Sequence, residues 1–449
     1  MTLNKEQVLA VSLSLAVLLS SWVFMNDIYA CSNLLLVVGF YLVVLLLRSQ
    51  SELFVCRNYL VGYQAVFLLL FVYLLCSIVN ESHEYRGYSN SFVLSESKVD
   101  WLPSSSSSHV TVRSLPYMLF LIGVVGPTIF CLMSEKLFQK LLWVLLVNSL
   151  VLAIMGIIVK YSGSSKMLGV VDPPHGTERY FFSTFTYKNH WGCYMVLSLG
   201  IVATLYERYR YLMMHKYNAF FLVCLSIFAF AVILSGSRSC SLLYLLLFCF
   251  FVFRVSQFYF LKSRLNLFIS VCIAALFVGL VGFLALNSDL ANFEEMRNTT
   301  SIYFYEIFKS GQSTRYFLSL GTWDMFLASP VFGWGLGSFE FVYNFYNSGE
   351  FRGQNLKEDM HFIYAHNDIF QYFAEMGIIG SILLLLVFCI PLLYKVYNRI
   401  TTCNWLLLVC FILLIYSFVE FPFRTPSVAL LFTILFAAAC RVQFKPLGD

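Results

Sequence analysis

The chain has 449 residues, of which 59% are hydrophobic and only 12% are charged. Soluble globular domains carry about 25% charged residues, so this composition excludes an ordinary soluble domain and predicts a protein embedded in a lipid bilayer. The net charge of +5 is modest, and no basic face suited to nucleic acid is predicted.

Apolar runs predict an all-α polytopic membrane protein with a single membrane domain over residues 1–449. A helix needs about 20 mostly apolar residues to cross a bilayer, and about twelve candidate spans meet this requirement. They lie near residues 6–25, 33–47, 59–79, 115–133, 141–160, 190–206, 218–235, 240–253, 267–286, 367–393, 405–420 and 428–440. The first run has no small-residue cleavage site before Asn26, which predicts a retained helix with a cytoplasmic N-terminus.

The distribution of Lys and Arg predicts the orientation of the spans. Short cytoplasmic connections retain positive charge, and with a cytoplasmic N-terminus many basic residues fall in the short connections on that side and in the C-terminal tail. These are Arg48, Arg57, Lys136, Lys140, Arg208, Arg210, Lys216, Arg254, Lys262, Arg264, Lys395, Arg399, Arg441 and Lys445. The short outside connections hold only Arg238 and Arg424, and three longer outside segments remain, at 80–114, 161–189 and 287–365.

Two of these outside segments have distinctive sequences. Segment 80–114 contains an unbroken serine run, 104–108, and is predicted to be a mobile loop. Segment 287–365 is predicted to form a large loop or cap between the ninth and tenth spans. Its residues 313–329 repeat apolar positions at helical spacing, which predicts a short amphipathic helix on the bilayer or on the bundle. The glycine-rich stretch 333–337 is predicted to be a flexible turn.

The cysteines and acidic residues give no sign of a metal site. The chain has 13 cysteines, most of them within apolar runs, where they are expected to pack as small hydrophobic side chains. No spacing of Cys and His predicts a metal site, and no Asp-x-Asp pair stands in an outside segment. The sequence predicts neither a metal nor a cofactor.

Polar residues are concentrated where the predicted helix 367–393 begins. Asn367 opens this helix, and Asp368, Gln371 and Glu375 share one of its faces because they are spaced by three and four residues. Ionisable groups at a membrane-entry site are costly and therefore indicate function. His366 stands at the rim of this stripe and could act as a general base. Capping the helix or contacting lipid headgroups is the alternative for this histidine, and the other candidates for the base are His175, His190 and His361.

Several basic or polar residues on the outer side could bind an anionic lipid headgroup. Guanidinium groups bind phosphate bidentately, and Arg238 and Arg315 are the first candidates for a diphosphate. Arg179, Asn189 and Arg424 are further candidates for substrate binding or support. The alternative for each arginine is an interaction with ordinary lipid phosphates at the membrane surface.

The chain resembles the bacterial O-antigen ligase and polymerase superfamily in four blocks that occur in order between residues about 175 and 395. The blocks are RYFFSTFTYKNHWGCYM at 179–195, SGSRS at 235–239, STRYFLSLGTWDMFLASPVFGWGLGSFEF at 313–341 and AHNDIFQYFAEMGIIG at 365–380.

This resemblance implies a metal-independent inverting glycosyltransferase of the bacterial inner membrane with its site facing the periplasm. Its donor would be a glycan linked to undecaprenyl diphosphate. By similarity, Arg238 and Arg315 would bind the diphosphate and His366 would be catalytic. In an O-antigen ligase, which is the favoured interpretation, the acceptor would be lipid A-core. In an O-antigen or exopolysaccharide polymerase, it would be another lipid-linked glycan. A protein O-oligosaccharyltransferase and a polysaccharide transporter are further alternatives.

Overall fold

The described residues form a bundle of long helices and a pair of short antiparallel strands. A computed structural model describes residues 5–23, 39, 42, 57–86, 91–94, 97–174, 177–209, 215–260, 314–346, 362–400 and 404–442. The helices are α1 (Lys5–Leu18), α2 (Arg57–Val79), α3 (Ser108–Leu132, with a π-helical stretch at Leu119–Val125), α4 (Glu135–Tyr161), α5 (Lys188–Tyr209), α6 (His215–Leu234), α7 (Arg238–Phe260), α8 (Thr314–Ala328), α9 (Phe339–Tyr346), α10 (Asp368–Tyr397), α11 (Asn404–Tyr416) and α12 (Pro426–Arg441).

The predicted spans that fall within the described residues coincide with helices. Five helices of this part of the chain are long and apolar enough to cross a membrane, namely α2, α3, α4, α7 and α10, and shorter apolar helices include α1, α6, α11 and α12. The predicted span 267–286 and most of 33–47 lie outside the described residues.

Local sequence explains where the long helices begin and end. The Ser134 hydroxyl accepts a hydrogen bond from Leu137 N and caps α4, which carries Glu135 in its first turn and Lys160 in its last. These charges match the helix dipole. The helix α10 changes direction at Gly377, whose φ of 59° is not helical.

The main hydrophobic core surrounds α5. Almost every side chain of this helix is buried between α4, α6, α7, α11 and α12. A second, smaller core joins α8, α9 and the beginning of α10, and contains Leu318, Met325, Phe339 and Ala374. Because α5 is enclosed on all sides, the polar residues of its first turn point into the protein.

The serine run of segment 80–114 is packed, which corrects the prediction of a mobile loop. Ser105, Ser106 and Ser107 are buried. The Ser105 and Thr111 hydroxyls lie 2.8 Å apart, and Ser106 N donates to Trp334 O at 2.7 Å. Low sequence complexity was misleading here because small hydroxyl side chains fit closely against a neighbouring turn.

The same segment contains a feature that an all-α prediction does not include. Two short strands, β1 (His83–Arg86) and β2 (Ser91–Leu94), pair antiparallel, with His83 opposite Leu94.

The described part of the predicted cap contains the expected helix. The helix α8 ends just before Pro330, as predicted, but its buried face carries Leu318, Thr322 and Met325. Leu320 and Trp323 belong to the apolar positions predicted within residues 313–329, and both are exposed. The two faces differ because, among the described residues, α8 packs its buried face on α10.

The glycine-rich turn 333–337 is closely packed rather than free. Gly335 N donates to Glu375 O at 2.8 Å. Gly333 and Gly377 both have positive φ, and a Cβ on Gly333 would lie 2.5 Å from Gly377 N. Only glycine permits this backbone approach. The contact fixes the turn against the kink of α10.

Candidate active site

Glu420 lies at the centre of a polar cluster at one end of the bundle. It belongs to the connection between α11 and α12, and only 1% of its side chain is exposed. Its Oε1 atom accepts a hydrogen bond from Asn189 Nδ2 at 2.5 Å and forms an ion pair with Arg315. Its Oε2 atom lies 3.8 Å from His366 Nδ1. One buried carboxylate therefore brings together three residues selected from the sequence.

His366 occupies a constrained position immediately before α10. Its φ of 53° is uncommon for a residue other than glycine. The Asn367 side chain caps α10 by accepting a hydrogen bond from Phe370 N at 3.0 Å, and Gln371 Oε1 accepts one from Ala365 N at 3.0 Å. Such backbone conformations cost about 1–3 kcal/mol and persist only where the surroundings impose them. The polar stripe of α10 thus fixes the backbone that presents His366.

Aromatic rings surround the histidine. The Phe421 ring lies between Tyr187, at 5.5 Å, and Tyr364, at 5.0 Å, in stacked arrangements. His366 meets Phe421 edge to face at 4.6 Å, and His190 does so at 4.7 Å. These edge-to-face contacts are favourable for aromatic rings, so Phe421 restricts the orientation of both imidazoles.

The turn that carries Arg238 is attached to the same cluster. The Ser237 hydroxyl donates to Asn189 Oδ1 at 2.6 Å, and the Ser239 hydroxyl lies 2.6 Å from the Tyr416 hydroxyl. Arg238 is the first residue of α7, and its side chain is exposed. The Asn189 side chain therefore joins the Arg238 turn to Glu420.

Arg315 reaches the cluster from α8. Its Nη1 donates to Val419 O at 3.2 Å, and its Nη2 pairs with Glu420. Glu420 and the Val419 carbonyl therefore hold Arg315 at the edge of the cluster, where 39% of its side chain remains exposed.

Arg424 has a different environment from the other two arginines. Its side chain is only 9% exposed, and it contacts Glu375 at 3.0 Å and Asp368 at 3.4 Å. Its guanidinium also lies 4.8 Å from the centre of the Tyr372 ring. Gln371 donates to Glu375 at 2.8 Å. This closed network occupies the acidic stripe of α10 and favours a structural role for Arg424.

Arg179 lies apart from this arrangement. It is exposed in the loop that precedes α5. Among the residues that the structure describes, no contact joins Arg179 to the cluster around Glu420.

Electrostatics keep Glu420 ionised. Burial by itself would raise the pKa of this carboxyl, but the neighbouring His366 and Arg315 outweigh it, and the pKa is lowered from 4.5. Burial also raises the pKa of the Tyr187 hydroxyl, so this group stays neutral. Within the described ranges, no group of three His, Cys, Asp or Glu side chains is arranged to hold a metal ion.

An apolar cavity adjoins the Arg424 network. It has a volume of about 180 Å³ and lies between α2, α3, α10 and α12, with Arg424 and Tyr372 in its wall. Arg238, Arg315 and His366 do not line it. The cavity is thus next to the acidic stripe rather than at the Glu420 cluster.

Sequence reasoning did not select Glu420 or Phe421. The sequence does contain a signal for Glu420, which is an acidic residue at the end of the apolar run 405–420. An ionisable residue at the membrane boundary is costly and therefore indicates a functional site, as for the polar residues of α10. The partners of Glu420 are far away in the sequence, so its importance was visible only after folding.

Comparison with known proteins agrees with the sequence resemblance. Residues 220–385 match the family model described as O-antigen ligase. No curated protein matches the chain. The matched region contains Arg238, Arg315 and His366, whereas Asn189 and Glu420 lie outside it. Residues 220–385 are therefore similar to the O-antigen ligase family, in agreement with the resemblance of the four sequence blocks.

Proposed function

We propose that this protein is an O-antigen ligase that moves a glycan from an undecaprenyl-diphosphate donor to a hydroxyl of lipid A-core. The family match supports a membrane glycosyltransferase of the O-antigen ligase type. The observation that carries the proposal is the convergence of Arg315, His366 and Asn189 on Glu420, with the Arg238 turn attached through Asn189.

The proposed reaction is a single displacement at the anomeric carbon. His366 accepts the proton of the acceptor hydroxyl as the new carbon–oxygen bond forms. The bond to the diphosphate breaks at the same time, and its electron pair leaves with the diphosphate. Arg238 and Arg315 stabilise the negative charge of this leaving group. Attack from the opposite side inverts the anomeric configuration. General-base catalysis of this kind contributes about 10²–10⁴-fold to the rate.

Charge distribution supports a periplasmic orientation of this site. The helices α5, α7, α10 and α12 all begin near Glu420 and end at the opposite side of the bundle. Basic residues lie in the last turns of α5, α10 and α12, namely Arg208, Lys395 and Arg441. An end rich in Lys and Arg is expected to face the cytoplasm, which leaves the Glu420 end outside.

Transfer by purified protein in detergent tests the enzymatic proposal. Lipid-linked glycan and lipid A-core are supplied with and without a chelator, and product is measured by gel mobility. We expect activity to survive chelation, Arg238→Ala and His366→Ala to reduce it at least 100-fold, and Arg254→Ala, at the other end of α7, to retain it. Full activity in the first two variants would refute the assigned roles.

Gene deletion separates ligase from polymerase. Loss of a ligase is expected to leave long glycan chains on the carrier lipid, with no glycan on lipid A-core. Lipopolysaccharide that carries a single repeat unit in the deletion strain would instead identify a polymerase.

A further inference from the structure

Glu420 differs from the other buried carboxylates of the cluster in how its oxygens are used. Asp368 and Glu375 share one cation, Arg424. Glu420 uses only its Oε1 atom for Asn189 and Arg315. A buried carboxylate is expected to satisfy both oxygens, so the second oxygen of Glu420 requires an explanation.

That second oxygen faces the proposed base. Glu420 Oε2 and His366 Nδ1 are 3.8 Å apart. Both atoms are buried, and neither has a hydrogen-bond partner within the part of the chain that the structure describes. A movement of about 1 Å would bring them to hydrogen-bond distance. These two atoms are therefore candidate partners for each other.

The exposure of the imidazole indicates which nitrogen is available to a substrate. The Nδ1 atom is buried, but 27% of the His366 side chain remains exposed. The exposed portion must belong to the rest of the ring. Since Phe421 packs on the ring at 4.6 Å, a ring flip that would exchange the two nitrogens meets resistance. Nε2 is thus the nitrogen that can face the acceptor.

We propose that Glu420 is a positioning residue that receives the Nδ1 proton of His366 in a hydrogen bond, so that Nε2 is free to act as the base. This inference rests on the proposed function. In the reaction, Nε2 takes the proton of the acceptor hydroxyl and the ring becomes positively charged. Glu420 stays ionised and stabilises that charge without taking the proton, as a carboxylate paired with a catalytic histidine does. The proton leaves Nε2 for water after the product departs.

The competing explanation is that Glu420 is only a counterion for Arg315. The two explanations predict different kinetics. A counterion that is removed frees Arg315 for the diphosphate, so the donor KM falls or stays constant and kcat is maintained. A positioning residue that is removed lowers kcat, because the imidazole loses its orientation and its stabilising charge.

The test uses Glu420→Gln and Glu420→Asp in the full-length protein, with transfer from lipid-linked glycan as the assay. Glu420→Gln is expected to lower kcat about 100-fold with no increase in the donor KM, and Glu420→Asp, which keeps the charge, to recover part of this loss. Glu207→Gln is the matched control, because Glu207 accepts a hydrogen bond from Trp405 at 2.8 Å at the opposite end of the bundle. This control is expected to keep wild-type kcat.

A double variant separates positioning from general damage. If Glu420 acts through His366, adding Glu420→Gln to His366→Ala changes the residual rate less than twofold. A further 100-fold loss in the double variant would overturn the proposal, as would wild-type kcat in Glu420→Gln alone. If Glu420→Gln fails to fold, Glu420→Asp takes its place, and the proposal is overturned either by wild-type kcat in Glu420→Asp or by a loss of kcat that is equally large with and without His366.

Failure of the proposed function is distinguishable from failure of the Glu420 proposal. If the proposed function is wrong, the wild-type protein transfers no glycan to any acceptor. If the wild type is active, His366→Ala is inactive and Glu420→Gln is normal, the function stands and only the role of Glu420 is refuted.

Discussion

Replacing Arg424 tests whether this residue holds the fold together or binds substrate. Arg424→Gln removes the cation that lies 3.0 Å from Glu375 and 3.4 Å from Asp368. Both carboxylates are fully buried, so water cannot replace the arginine. Breaking a buried ion pair by removing one partner costs about 3–5 kcal/mol, and we expect Arg424→Gln to lower the free energy of unfolding by about that amount.

Thermal unfolding in detergent measures this effect, with exposed Arg254→Gln as the control that should leave the midpoint unchanged. Combining Arg424→Gln with Asp368→Asn and Glu375→Gln should restore most of the stability, because the amide oxygens still accept the hydrogen bonds and no buried charge is left unpaired. A stable Arg424→Gln variant whose donor KM rises more than tenfold would refute the structural interpretation and make Arg424 a substrate ligand.

Three further substitutions test other features of the fold. Gly377→Ala should destabilise the protein by about 1–3 kcal/mol, because it adds a side chain to a residue that has positive φ and close backbone neighbours. The control is Gly62→Ala, which has open space around it and should be neutral in the same thermal assay. The pKa of Glu420 is lowered from 4.5, so the stability that this carboxylate contributes is complete above pH 4.5 and is lost as the pH falls below that value. When the unfolding midpoint is measured across this acid range, Glu420→Gln should lose less stability than the wild type. An equal loss in the two proteins would contradict this assignment. Asn80→Ala removes four hydrogen bonds to the chain before α3 and should cost about 1–3 kcal/mol and increase proteolysis there. The control is Ser97→Ala, which removes only a solvent-exposed hydrogen bond to Asp100 and should have a much smaller effect.

Helix positions and candidate residues could be predicted from the sequence because their signals are local. A long apolar run must form a helix in a bilayer, since every backbone polar group needs a partner within the segment. The spacing of Asp368, Gln371 and Glu375 places them on one face by helix geometry alone. The resemblance of the four sequence blocks likewise implied that Arg238 and Arg315 are candidates for diphosphate binding.

Other features depended on contacts between distant parts of the chain. The buried serine run was misjudged because composition does not reveal that a glycine turn more than 200 residues later packs against it. Similarly, nothing local distinguishes the paired Arg424 from the exposed Arg238, although both are single arginines in short connections.

The sequence by itself determined that this protein is a bundle of apolar helices with polar residues concentrated near particular helix ends. Only the tertiary structure decided which of those residues meet. Asn189 and Glu420 are 231 positions apart, and Arg315 and Glu420 are 105 apart. Helix periodicity and composition act over a few residues, whereas the pairing of a buried carboxylate depends on how whole helices pack, so the central position of Glu420 emerged only from the fold.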